Sequence, residues 1–373
     1  MTQKPEKKLG FGLMRLPVLE DNAIDLDMVC KMVDAFLAGG FTYFDTAYNY
    51  HGGASESVAK KVLVDRHPRE SYTLATKLPG WLLSDTVLPQ QLFDEQLERT
   101  GAGYFDYYLL HSVTHSNIAQ YDGYDCWNWG LKLKEEGKIR HLGFSFHDSA
   151  EVLEKIIETY PEAEFVQLQI NYLDWNNEAV QSGDCYAVAK KHGVPVVVME
   201  PVKGGTLAVM PDEAAAILKA KAPDASLASW AIRYAASLDN VMAVLSGMSN
   251  EEQMTDNVST MDAFVPLNEE EYGLLDKAAD KLRELAMIPC TGCRYCVNDC
   301  PMSIQIPDII SCLNHYKVYG RSGKMKKKYF SFAEDGALAS ACINCGQCES
   351  VCPQHLAVPD IMKEAVALYE EAK

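Results

Sequence analysis

The residues best suited to chemistry lie in two runs late in the chain. CTGCRYCVNDCP (290–301) and CINCGQCESVCP (342–353) both read C-x2-C-x2-C-x3-C-P, and P-D-I follows each, at Pro307-Asp308-Ile309 and Pro359-Asp360-Ile361. A cubane iron–sulfur centre needs four converging thiolates. A C-x2-C-x2-C turn supplies three, and in two-cluster arrangements of this spacing the last cysteine of each run serves the other cluster. The runs therefore predict one [4Fe–4S] centre on Cys290, Cys293, Cys296 and Cys352. A second falls on Cys342, Cys345, Cys348 and Cys300. Structural zinc also uses C-x2-C pairs, but four cysteines per run closed by Pro is not its usual pattern.

A second set of reactive residues ends apolar stretches earlier in the chain: Asp45 with Tyr50 close behind, Lys77, His111, Ser145, Gln169 with Asn171, and Glu200. A buried Asp and Lys need each other or water, so an ion pair that only closes a structure is the plainer reading. The stretches they end number eight: GFGLMRL, FTYFDTA, YTLATKL, FDYYLLHS, HLGFSF, FVQLQIN, VPVVVME and VMAVLSG. Helix-patterned segments such as DLDMVCKMVDAFLAGG and DSAEVLEKIIETY alternate with them. Continuous apolar strands separated by helices indicate parallel pairing with both faces covered. Eight such units in about 255 residues fit a closed (β/α)8 TIM barrel, where chemistry gathers at the C-terminal strand ends. No G-x-G-x-x-G follows a strand and no G-x-x-x-x-G-K-[ST] occurs, so a nicotinamide cofactor would not be held in the Rossmann manner.

The segments FDTAYNYHGGASE, LATKLP and YYLLHS closely resemble the aldo-keto reductases, and the resemblance covers essentially the whole first domain. It implies that Tyr50 is the proton donor to a carbonyl reduced by hydride, with Lys77 favouring the phenolate, Asp45 anchoring Lys77, and His111 aligning the carbonyl oxygen. His51 has no matching role and reads as lining. The resemblance further implies that Ser145 and Gln169 hold the nicotinamide carboxamide and that EPVKGGTL (200–207), with Gly204 and Gly205, lies over the pyrophosphate. SGMSNEEQMTDN would receive the adenosine end through Gly247, Ser249, Gln253 and Asn257. Four positions depart from the pattern: Phe146 where Asn is common, Met199 where an aromatic residue stacks on nicotinamide, and Gly247 and Gln253 where basic residues grip a 2′-phosphate. NADH and NADPH both stay open, and FMN is a further cofactor to consider.

The domain boundary is placed near residue 286, with a barrel over 1–285 and a small, mostly α-helical, ferredoxin-like domain over 286–373. NEEEYGLLDKAADKLRELA (268–286) reads as a helix before the boundary. PDIISCLNHYKVYG and VPDIMKEAVALYEEAK read as helices after it, each opening on a Pro suited to the first turn. The small domain resembles the helical ferredoxin modules attached to redox enzymes.

The chain has 373 residues, 48% hydrophobic, and a formal net charge of −18. From residue 286 onward nine basic and nine acidic residues balance, so the first domain carries the whole surplus. An acidic body repels phosphate backbones, which argues against nucleic acid. No apolar run approaches the ~20 residues of a membrane span, and MTQKPEKK opens no signal peptide. Twelve cysteines without an export signal then point to metal in a cytoplasmic protein. Cys30, Cys126, Cys185 and Cys312 read as buried side chains. Lys324, Lys326, Lys327 and Lys328 read as a solvated loop, with docking of an acidic redox partner as the sharper reading. Trp81, Leu82, Tyr121, Tyr124, Trp127 and Trp129 could line a pocket for a ring-bearing carbonyl compound, but read more readily as core or interface.

Three functions remain in view. The first is an NAD(P)H-linked reductase of a small carbonyl compound. The second is a ferredoxin-dependent reductase fed by single electrons through the clusters, with or without a flavin. The third is a non-catalytic electron-transfer protein.

Overall fold

The computed structural model describes residues 5–285, 287–320 and 322–371. The chain divides into two compact units, Met1–Pro201 with Ala228–Glu269, and Val202–Leu227 with Glu270–Lys373.

The first unit is a closed barrel of eight parallel strands in sequence order. The strands are β1 (Leu9–Gly12), β2 (Tyr43–Asp45), β3 (Thr73–Leu78), β4 (Phe105–Val113), β5 (Ile139–Phe146), β6 (Phe165–Gln169), β7 (Val196–Met199) and β8 (Val241–Ser246). Each coincides with one of the eight apolar runs. Alternation sorts their side chains. Tyr43, Ala75, Tyr107, Phe165, Val197 and Leu245 fill the barrel interior. Phe11 and Phe44 point outward and meet Phe36 of the helix Leu26–Ala38 at ring separations of 5.8 and 5.1 Å. That helix starts where Asp25 caps the Met28 amide at 2.9 Å, and Ser149 and Asn250 cap two others in the same way. Where β5 passes β6 there is no room for a side chain: a Cβ on Gly143 would lie 2.5 Å from the Phe165 carbonyl oxygen.

The second unit is helical. Its longer helices are Asp212–Lys221, Glu269–Glu284, Ile306–Tyr319, Gly323–Asp335 and Val358–Ala365. The expected helix 268–286 thus ends at Glu284, and residue 286 lies outside the described residues, as do 372 and 373 at the end of the last expected helix. Pro307 and Pro359 sit in the first turns of their helices. Stacked Tyr329 and Tyr369 rings, 4.6 Å apart, centre a core that includes Ile309, Leu313 and Met362.

Two expectations need correction. The lysines of 324–328 lie on a helix, not in a loop. Ser322 caps the Met325 amide, and Met325, Tyr329 and Phe332 form an apolar stripe at helical spacing that packs into the core. Of the isolated cysteines, Cys126, Cys185 and Cys312 are buried, but Cys30 is only half-buried.

Candidate functional site

The strand ends of the barrel bring four residues together. Asp45 closes β2, Lys77 comes one residue before the end of β3, and His111 lies near the end of β4. Tyr50 opens a short turn in which His51 and Gly52 adopt left-handed backbone, at φ of 52° and 63°. The Lys77 side chain is fully buried. Its Nζ donates to Asp45 Oδ1 at 2.6 Å and to the Thr46 carbonyl at 2.8 Å, and lies 3.2 Å from the Tyr50 hydroxyl. Burial pushes the Lys77 ammonium below its ordinary range, and Asp45 opposes that push. Burial likewise raises the Asp45 carboxyl, against Lys77 and a hydrogen bond from Gln167. The ammonium also sits 4.8 Å from the Tyr50 ring centre.

His111 faces the same group, its ring edge-on to Tyr50 at 6.2 Å. Burial first, then Lys77, holds its imidazole well below the usual range, so it is neutral around pH 7. The Tyr121 hydroxyl donates to its carbonyl at 2.6 Å, while its Nδ1 is buried without a hydrogen-bond partner among the described residues. Trp81 lies 5.1 Å from the His111 ring and is 48% exposed. It lines the site instead of joining the core, the less favoured of its two sequence readings. Tyr121 and Trp127 are buried as expected. The His51 ring is tied to the loop after β1, its Nε2 accepting from the Leu16 amide at 3.0 Å.

Behind Lys77 lies a polar layer that the sequence did not single out. Glu56 Oε1 accepts from Thr76 Oγ1 and Gln96 Nε2, both at 2.7 Å, and Gln96 also donates to the Lys77 carbonyl at 3.0 Å. The wide spacing of Glu56, Thr76 and Gln96 along the chain hides this group from pattern reading.

The residues expected at a cofactor are distributed unequally. Ser145 Oγ accepts from the Ser112 amide at 2.7 Å. Gln169 Nε2 donates to Asp174 Oδ2 at 3.1 Å, and Asn171 donates to the same oxygen at 2.9 Å. Met199 ends β7 half-buried. Ser249 donates through Oγ to the Arg15 carbonyl, and its amide is taken by Gln253 Oε1, both at 2.7 Å. Asn257 turns inward, donating to Ser246 Oγ at 2.9 Å, and its buried Oδ1 has no partner among the described residues. Gly247 packs on Arg15, whose side chain would stand 3.1–3.2 Å from a Cβ there. The sequence reading found no basic residue at this place. The fold supplies Arg15 from the loop after β1, with Glu200 Oε1 3.5 Å from its guanidinium. Gly204 and Gly205 belong to the second unit.

In that unit the two cysteine runs repeat the same backbone. Left-handed residues occur at Gly292, Arg294 and Ser303 in the first and at Asn344, Gly346 and His355 in the second. Four-residue helices, Tyr295–Asn298 and Gln347–Ser350, carry the third cysteine of each. The Cys296 thiol is pushed up by burial and then by its neighbours Cys293, Cys290, Cys352 and, last, Cys348; Cys300 of its own run is not among them. Cys348 is pushed up to about 11, first by burial, with Cys342 and Cys345 contributing. A small pocket is lined by Cys300, Cys342, Cys345 and Cys348 between apolar walls that include Ile304 and Met362. Four soft sulfur donors around such a space fit an iron–sulfur cluster.

Among curated proteins the chain is 26% identical to L-galactose dehydrogenase of Arabidopsis thaliana over 276 residues, 68% of this chain and 83% of that one. It is 30% identical over 237 residues to an aldo-keto reductase of Mycolicibacterium vanbaalenii, 62% of this chain and 77% of the relative. Among solved structures, an aldo-keto reductase of Bacillus halodurans in its holo form superposes with a TM-score of 0.57 at 26% identity, covering 74% of this chain and 95% of that one. An aldo-keto reductase of Klebsiella pneumoniae in complex with NADPH gives 0.58 at 19% identity, with 74% and 95% covered, a likeness of fold. Residues 289–357 match the 4Fe-4S dicluster domain, which makes the protein an iron–sulfur oxidoreductase. Residues 8–280 match the Aldo/keto reductase family, and the chain belongs to that family.

Proposed function

We propose that the protein reduces a small carbonyl compound with NAD(P)H at the barrel rim and carries two [4Fe–4S] clusters over residues 286–373. The contact that carries this reading is the Tyr50 hydroxyl 3.2 Å from a fully buried Lys77 ammonium. Bound at the rim, a reduced nicotinamide supplies the hydride. The carbonyl oxygen then needs a proton, and Tyr50 gives it, because the adjacent ammonium stabilises the phenolate left behind. Asp45 and the Thr46 carbonyl fix that ammonium in place. Neutral His111 aligns the carbonyl oxygen, and Trp81 screens it from water. Ser145, Gln169 and Met199 would hold the nicotinamide end. Gly247, Ser249, Gln253, Asn257 and the guanidinium of Arg15 would hold the phosphate and adenosine end, where the orphaned Asn257 Oδ1 is an acceptor still to be filled.

Cys345 is exposed, and this favours a second reading in which single electrons enter through the clusters from a ferredoxin-type carrier. FMN would occupy the same rim in that case. No helix among the described residues is long and apolar enough to cross a membrane, in keeping with a cytoplasmic reductase.

Anaerobic purification followed by iron, nicotinamide and flavin analysis separates these readings. For the first, Tyr50→Phe is expected to lower NAD(P)H-linked carbonyl reduction by at least about 100-fold while nicotinamide binding stays within a few-fold. Turnover equal to that of the parent protein would remove Tyr50 from the reaction.

A further inference from the structure

Lys203 is 2% exposed, an unusual burial for a lysine. It starts the turn Lys203–Gly205, and its Nζ lies 3.4 Å from Oε1 of Gln354, itself 5% exposed. The next residue, Gly204, is pressed against the first cysteine run. Its φ is +63°, and a Cβ there would lie 2.2 Å from the carbonyl oxygen of Thr291. Thr291 adjoins Cys290, and Gln354 follows Cys352 by two residues. One turn therefore holds the neighbours of two cysteines from different runs, both assigned to the same four-thiolate set. The other set is open at its surface. Cys345 is exposed, and Ile343, which lines the same cavity, is 60% exposed.

We propose that Lys203 is a buried cation that raises the reduction potential of the cluster on Cys290, Cys293, Cys296 and Cys352, so that an electron entering beside exposed Cys345 comes to rest on that first cluster. The inference rests on the two-cluster reading, which iron counting tests separately. Gaining one electron adds one negative charge to a site already surrounded by four thiolates. A cation held away from water favours the reduced state, because charges interact more strongly there than in bulk solvent. Gln354 presents its amide oxygen to the ammonium and keeps it on the side of the Cys352 turn. The electron balance is simple: a one-electron donor, such as a reduced low-potential ferredoxin or a viologen, loses one electron, and one cluster gains it. No bond forms or breaks and no proton is required.

The test is a potentiometric titration of the full chain, reconstituted anaerobically and followed by electron paramagnetic resonance with viologen mediators. The parent protein is expected to show two distinct midpoint potentials, and Cys345→Ser marks the signal of the second cluster. Lys203→Met is expected to lower the higher potential, with roughly a tenfold fall in the reduced-to-oxidised ratio at fixed applied potential. The Cys345-marked signal should stay put, and Lys203→Arg should restore the parent value. Should Lys203→Met fail to take up eight iron atoms per chain, Gln354→Glu decides: a carboxylate beside the ammonium should lower the same potential at full iron content. Unmoved potentials in a fully loaded variant would overturn the proposal. So would a shift confined to the Cys345-marked signal.

Discussion

Gln167 and Lys77 divide the two oxygens of Asp45 between them: Gln167 Nε2 lies 3.2 Å from Oδ2, and the Lys77 ammonium lies 2.6 Å from Oδ1. The carboxylate is thereby held in one orientation inside the barrel, and the ammonium it holds is the one beside Tyr50. Asp45→Asn keeps the shape and the Gln167 contact but removes the charge. The buried ammonium then loses its counter-ion, and breaking such a pair on one side costs about 3–5 kcal/mol. The expected outcome is a protein less stable to urea by that order, with kcat down about 100-fold and nicotinamide affinity changed only a few-fold. A variant with parent turnover would show that the pair merely closes the barrel mouth.

Glu164, just before β6, gives a pH dependence with a definite sign. Burial alone would raise its carboxyl. Hydrogen bonds from His141 Nδ1 at 3.0 Å, Lys134 Nζ at 2.6 Å and the Leu142 amide at 3.1 Å outweigh burial and hold it at about 2. A carboxylate depressed in the folded state contributes stability above its unfolded value, and the contribution fades as pH falls toward the folded one. Glu164→Gln is therefore expected to lower barrel stability by about 1 kcal/mol at pH 7, after allowance for solvent screening. By pH 3 the gap should shrink to roughly half. All five tryptophans lie in the barrel unit, so urea unfolding followed by their fluorescence reads this difference. A gap that stayed constant between pH 7 and pH 3 would contradict the assigned cause.

The barrel was legible because each of its strands is a short apolar run that needs cover on both faces, a pattern visible without knowing what lies opposite. Asp45, Tyr50, Lys77 and His111 were legible because each sits at or just after such a run. Arg15 was not, since nothing in GFGLMRL says that it will lie against Gly247, far along the chain. Trp81 carried two readings, with the core or interface preferred, for a related reason: an aromatic residue after a strand looks the same whether it faces a core or a rim. The lysine-rich segment 324–328 carried its helical signal in Met325, Tyr329 and Phe332, but the charge between them drew attention from the spacing. Gly204 looked like half of a loop glycine pair. Only the nearness of Thr291 shows a second reason for it, a place where two stretches of backbone touch.

Cys300 and Cys352 provide the sharpest test of how the runs divide their thiols. The cavity on the second run takes in Cys300 with Cys342, Cys345 and Cys348, while the neighbours of Cys296 are Cys293, Cys290, Cys352 and, with the smallest effect, Cys348, and do not include Cys300. Cys300→Ala is therefore expected to empty the second-run site, and Cys352→Ala the first. Iron content alone cannot tell crossed from uncrossed ligation, because each single variant loses one cluster either way. Pairs of substitutions can. If Cys300 and Cys345 serve one cluster, Cys300→Ala with Cys345→Ala should lose no more iron than either alone, about four atoms per chain, whereas Cys300→Ala with Cys293→Ala should lose about eight. Uncrossed ligation requires the reverse, with the Cys300 and Cys293 pair retaining half the iron and the Cys300 and Cys345 pair losing all of it.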